Sequence, residues 1–296
     1  MNDNIAPRRV TCRSHDGLTL VGDAYGPEDG PPVLFLHGGG QTRHSWGGTA
    51  ETMAAHGWLA VTADHRGHGD SDWSPDGNYS YDDIGSDVRA WSGLFDAPPV
   101  VIGASLGGLG AMVGLGFEPR VDARALVLVD IAPKMEARGA DRILAFMRAN
   151  MEEGFASLEE AAEAVAGYTP ERKRAVDLNS IRKNLRERQG RWYWHWDPQT
   201  IRDRSSADNK RMEGVLSEAV RRMECPILLI RGRFSDVISP EAIDHLRAIR
   251  PDAGFVDVAG AGHMVAGDRN DVFTDAVIGF LEEREIMQSG RTAHGG

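Results

Sequence analysis

Within the 296 residues, Gly103-Ala104-Ser105-Leu106-Gly107 follows directly on the apolar run Val100-Val101-Ile102. In a Gly-x-Ser-x-Gly turn the glycines leave room for a strained backbone that lifts the hydroxyl clear of the chain. A helix starting there turns free N–H groups and its positive dipole end towards developing negative charge. A serine hydroxyl is a weak nucleophile until a base takes its proton. That base is expected at His263, in the small-residue run Ala259-Gly260-Ala261-Gly262-His263-Met264. The acid orienting it is expected at Asp236, which closes Leu228-Leu229-Ile230-Arg231-Gly232-Arg233-Phe234-Ser235-Asp236. Asp130 is the alternative acid, since it also ends an apolar run, and it reads equally as a cap or hinge before Ile131-Ala132-Pro133.

A further apolar run ends in His37-Gly38-Gly39-Gly40, where no side chain obstructs the backbone. The N–H groups of Gly39 and Leu106 are the candidate oxyanion hole, each such donor typically contributing about 3 kcal/mol to transition-state stabilisation. Together these groups describe acyl transfer: Ser105 attacks, His263 moves the proton, the carboxylate holds the imidazole, and an acyl-enzyme is released by water.

Positioning them requires an α/β architecture, in which short apolar runs alternate with helical patterns. Strands are expected at 10–14, 18–25, 33–36, 59–63, 100–102, 125–129, 226–230 and 254–258, and helices at 45–56, 81–95, 240–249 and 270–285. Asp16-Gly17 has hairpin chemistry, so the first two strands should be antiparallel and the rest parallel. Residues 131–224 read as an inserted helical lid without a strand, dividing the core into 1–130 and 225–285, with a frayed tail at 286–296.

Composition limits the partners. The net charge of −11 argues against nucleic acid or an anionic membrane surface, where clustered Lys and Arg would be needed. No apolar run approaches the roughly 20 residues that span a bilayer. No secretory pattern opens the sequence, and two cysteines form no framework, so a cytoplasmic setting is expected. His65-x-x-His68 has ligand spacing but no third partner, and no phosphate or dinucleotide loop occurs, so neither metal nor cofactor is expected.

Arg43, His44, Trp194 and Met264 are the candidate substrate contacts. For Arg43 and His44 the alternative is a surface loop. The aromatic stretch Arg191-Trp192-Tyr193-Trp194-His195-Trp196-Asp197-Pro198 either packs on the main body or walls an apolar pocket. Between residues 171 and 224, fourteen Lys or Arg face nine Asp or Glu, as a solvated surface or as an attractor of anionic substrate.

With these motifs the chain resembles the α/β-hydrolase superfamily from residue 10 to about residue 283. The segment Asp64-His65-Arg66-Gly67-His68-Gly69-Asp70-Ser71-Asp72 is similar to a structural turn that its lidded members carry after the fourth strand. The resemblance implies a mostly parallel eight-stranded sheet flanked by helices, with the inserted lid. It also implies hydrolysis of a small ester, with a lactone as the alternative substrate and a catalytically vestigial ligand-binding protein as the alternative class. Members acting on epoxides or haloalkanes carry aspartate where this chain has Ser105. Ala104 stands where many members have histidine.

Overall fold

Side-chain alternation along the strands builds a sheet with two apolar faces. Val33 and Phe35 pack on one side, Leu34 and Leu36 on the other, and all four are buried. The computed structural model describes residues 6–168, 177–202, 204–259, 270–284 and 286.

The strands are β1 (Arg8–Arg13), β2 (Thr19–Tyr25), β3 (Pro32–Leu36), β4 (Leu59–Ala63), β5 (Val100–Ala104), β6 (Ala125–Val129), β9 (Ile227–Gly232) and β10 (Gly254–Val258). They form one eight-stranded sheet in the order β1-β2-β4-β3-β5-β6-β9-β10. β2 runs antiparallel to both β1 and β4, one antiparallel pairing more than the hairpin signal alone predicts, and all remaining pairs are parallel. The ends of β5, β6, β9 and β10, where the chemistry-bearing residues were expected, are therefore consecutive along one edge.

Helices cover both faces. The helix expected at 45–56 is a 3₁₀ turn over Arg43–Trp46 continuing into α1 (Gly47–Ala55). α2 (Tyr81–Ser92) begins at Ser80 with a reciprocal capping box to Asp83. α3 (Leu106–Gly116) is apolar all round and wholly buried, as a helix between a sheet and a second helix layer must be. α8 (Pro240–Ile249) and α9 (Asn270–Glu283) complete the layers.

The segment between β6 and β9 contains α4 (Ala137–Arg148), α5 (Leu158–Tyr168), α6 (Leu178–Arg182) and α7 (Ser206–Arg222). It also contains a strand pair, which overturns the all-helical expectation: β7 (Leu185–Arg188) and β8 (Arg191–Trp194) form an antiparallel hairpin. Its two-residue turn, Gln189-Gly190, has φ of 51° and 77°, the twist that tight hairpins require. Leu216, Ala219 and Val220 of α7 join the main core, so α7 acts as a covering helix of the sheet. The rest has its own apolar cluster, including Met147, Phe155, Ile181, Trp194 and Trp196. No helix among the described residues is long and apolar enough to cross a membrane.

Candidate active site

Ser105 joins β5 to α3 with φ 45° and ψ −111°, a left-handed conformation that costs a residue with a Cβ on the order of 1–3 kcal/mol. Its N–H donates to the Val129 carbonyl at 3.2 Å, and its carbonyl accepts from Leu109 N–H at 3.0 Å, so both ends of the turn are fastened. Only glycine fits around it. A Cβ on Gly103 would lie 2.6 Å from backbone atoms of Gly107 and Gly108, and one on Gly107 would lie 2.4 Å from the Leu36 carbonyl oxygen.

The glycine run after β3 lies over this turn, since a Cβ on Gly38 would come 3.5 Å from that of Ser105. Its polar groups are assigned one by one. Gly38 N–H donates to Gln41 Oε1 at 2.9 Å, and Gly38 O accepts from Gln41 N–H at 3.1 Å and from His37 Nδ1 at 2.8 Å. Gly40 N–H donates to His68 Nε2 at 3.3 Å. The N–H of Gly39 has no acceptor among the described residues. Leu106, as the first residue of α3, likewise has no intrahelical acceptor for its N–H.

Behind this loop four buried imidazoles run from β3 into the inserted segment. The ring centroids of His37 and His65 are 4.5 Å apart, those of His37 and His68 5.3 Å, and those of His68 and His195 5.8 Å. His37 Nε2 accepts from His65 N–H at 3.1 Å, which places its own proton on Nδ1. His195 Nδ1 accepts from Gly69 N–H at 2.7 Å, tying the hairpin region to the turn after β4. Both nitrogens of His68 are committed, to Arg66 O and Gly40 N–H, so His65 and His68 act as structural groups and not as a ligand pair.

Burial holds all four imidazoles below their ordinary pKa, His65 at about 4 and His195 at about 3. The unfolded chain protonates these groups below about pH 6.5 while the folded chain does not, so their contribution to stability is lost as pH falls from about 6.5 towards 4. Each such site contributes up to about 1.4 kcal/mol per pH unit. Asp87, raised by burial to about 6, and Asp64, also raised by burial, oppose them, while His44, lowered by burial, adds to the imidazoles, which remain the larger group. Urea midpoints should therefore fall between pH 7.5 and 5, with a shallower decline in His195→Gln. An unchanged slope in that variant would remove His195 from the linkage.

Arg43 does not line the cavity over Ser105. Its guanidinium is buried, with Nε 2.9 Å from Asp23, Nη1 2.5 Å from Asp64 and Nη2 3.0 Å from Asp70. This cluster braces the turn after β4 against the glycine run. His44 and Trp194 do line the cavity, which measures about 540 Å³ and is walled by Ser105, Leu106, Met147, Trp194 and Trp196 among others. Trp194 stacks on Trp196 with centroids 4.7 Å apart.

The two candidate acids differ sharply. Asp130 is fully buried at the end of β6, with φ 51°, and accepts from Gly232 N–H at 3.2 Å and Ser235 Oγ–H at 2.5 Å. Ser235 Oγ in turn accepts from Val237 N–H, folding the loop after β9 around that carboxylate. Asp236 is one-third exposed and pairs through Oδ2 with Arg142 at 3.0 Å, while its buried Oδ1 has no partner among the described residues. His263 and Met264 lie outside the described residues, as does the tail expected at 286–296 except for Ile286, which is buried against the core and not frayed. Ser235 is not singled out by the sequence; His68 is read there only as half of a possible ligand pair, and His195 and Trp196 only as members of the aromatic stretch.

Among the described residues, His15, Asp16 and Asp83 bring possible metal-ligand atoms within 4.8 Å of one another. Arg66 already supplies counter-charge to both carboxylates, at 3.0 Å from Asp16 and 3.7 Å from Asp83.

A sheet of this order, with a strained serine at the β5–α3 turn, defines a class, and the comparisons with known proteins agree. Residues 33–276 match the model of the alpha/beta hydrolase family, and the chain belongs to that family. It is 30% identical over 268 residues to esterase Rv0045c of Mycobacterium tuberculosis, covering 86% of this chain and 84% of the relative. It is also 30% identical over 268 residues to the mouse sn-1-specific diacylglycerol lipase ABHD11, covering 85% and 81%. A 2-(acetamidomethylene)succinate hydrolase of Mesorhizobium japonicum is 25% identical over 258 residues, covering 86% and 88%. A crystal structure of E-2-(acetamidomethylene)succinate hydrolase superposes with a TM-score of 0.78 at 23% identity, covering 93% of this chain and all of the other. These relatives are named as an esterase, a lipase and a hydrolase, and this chain is an α/β hydrolase.

Proposed function

We propose that the chain is a serine hydrolase of carboxylic esters acting through Ser105, His263 and a buried carboxylate. The observation that carries this reading is the backbone of Ser105, held at φ 45° beside a glycine run whose other N–H groups are occupied and whose Gly39 N–H has no acceptor among the described residues. Ser105 Oγ attacks the acyl carbon as His263 takes its proton, and the oxyanion receives the N–H groups of Gly39 and Leu106. Collapse expels the alcohol, which takes the proton back from His263, and water repeats the sequence on the acyl-enzyme.

Asp236 was the acid expected from sequence; the surroundings support Asp130. A triad acid is a buried anion fixed by hydrogen bonds to face an imidazole. Asp130 has that setting, next to the strand of the nucleophile and bonded to Gly232, which pairs with Val258 at the start of the segment leading to His263. Asp236 already has a cationic partner in Arg142.

The segment between β6 and α7 serves as the lid, its apolar cluster roofing a cavity of the size that takes small and medium ligands. A series of 4-nitrophenyl esters of increasing acyl length tests this. Turnover is expected for short and medium chains, falling as pH drops through about 6 to 7, where an unperturbed imidazole takes up its proton. A flat profile from pH 5 to 8 would exclude His263 as base.

A further inference from the structure

The cavity over Ser105 is not apolar throughout. Lys183 and Arg204 line it against one carboxylate among the described lining residues, Asp177. Asp177 is committed to capping α6: it accepts from Asn179 N–H at 3.2 Å, from Ser180 N–H at 3.3 Å and from Ser180 Oγ at 3.0 Å. Arg204 has no carboxylate within ion-pairing distance among the described residues. One edge of its guanidinium donates to the Tyr79 carbonyl at 2.7 Å, and its plane lies 4.7 Å from the Tyr81 ring centroid. The group is thus oriented at one edge and on one face, with further N–H groups to spare. The Lys183 ammonium makes no direct hydrogen bond or ion pair among the described residues, and its charge reaches Asp177 only at longer range.

Two indoles add to the imbalance. Trp46 and Trp196, 1% and 2% exposed, line the same cavity, and the Nε1–H of each is buried with no acceptor among the described residues. A wall with surplus donors and cations complements a ligand that is rich in acceptors and negatively charged. Lys183, Arg204 and Trp196 belong to the stretch 171–224, which carries fourteen Lys or Arg against nine Asp or Glu in a chain of net charge −11.

We propose that the substrate is an ester or lactone bearing a second, non-reacting carboxylate, which Arg204 grips and Lys183 attracts, while the apolar wall takes the carbon skeleton. The fork of a guanidinium matches a carboxylate with two parallel N–H donors, and a preset guanidinium loses little freedom in binding one. This rests on the reading of Ser105 as nucleophile, because it assigns the other end of the same substrate.

Two esters that differ only in charge test the proposal: mono-4-nitrophenyl glutarate and its methyl ester. The free acid should be favoured about tenfold or more in kcat/KM, the range of one charge-assisted contact. In Arg204→Gln/Lys183→Gln the ratio should fall to about one, with Arg204→Lys between. A wild-type ratio near one, or a ratio the double variant leaves unchanged, would overturn the proposal while leaving the hydrolase reading intact. Calorimetric titration with glutarate separates the two readings if neither ester is cleaved. Binding that the double variant loses would keep the carboxylate site without hydrolysis, and no binding to wild type would end it.

Discussion

Asp130→Asn should lower kcat by about 10⁴ while leaving KM within a few-fold, the loss seen when a triad carboxylate is replaced by an amide that favours the wrong imidazole tautomer. The isosteric change keeps Oδ1 to accept from Gly232 N–H, and its amide N–H can donate to Ser235 Oγ once that hydroxyl rotates, so the loop after β9 should stay folded. Asp236→Asn should cost less than about tenfold, since its Arg142 pair is partly exposed and such pairs contribute little. The comparison is decisive because both carboxylates follow neighbouring strands and differ in setting more than in location. The reverse order, with Asp236→Asn the inactive variant, would return the acid to the position expected from sequence. Thermal unfolding of both proteins checks that activity and not folding is being read.

Ser105→Gly should abolish ester turnover, by a factor of about 10⁴ to 10⁶ relative to wild type, and at the same time raise the melting temperature. The cause is one backbone angle: at φ 45° and ψ −111° a Cβ is strained, whereas glycine is not. Relief of about 1 kcal/mol corresponds to roughly 2 °C in a chain of this size. Ser105→Ala should lose activity equally without that gain, because alanine keeps the Cβ. Equal melting temperatures for the two variants would show that the turn holds no strain worth releasing.

Much of the fold and part of the site were legible in the sequence, for identifiable reasons. Val100-Val101-Ile102 running into Gly-x-Ser-x-Gly carries its geometry locally: the apolar residues demand burial in the sheet, and the two glycines admit contacts that no side chain would. The eight strand segments likewise announce themselves by composition. What escaped depends on residues distant in the chain. Arg43 looked like a substrate contact because Asp23, Asp64 and Asp70 meet it only once β2, β4 and the following turn are assembled. The hairpin β7–β8 was hidden by its Arg and Glu content and by a turn whose first residue, Gln189, takes a left-handed conformation that glutamine seldom adopts.

The link from His195 to Gly69 spans 126 positions and leaves no local trace. The same is true of the support for Asp130. Its burial comes from strand order, and its fixed orientation from Ser235, 105 positions away. An aspartate after an apolar strand is all that sequence reveals of either candidate acid. The tertiary setting separates them.

Whether Ser105 is the nucleophile is settled most directly by a fluorophosphonate probe, read by intact mass and peptide mapping. One adduct per chain, located on Ser105 and absent from Ser105→Ala, is the predicted result. A wild-type chain that stays unmodified, or one labelled at another residue, would contradict it.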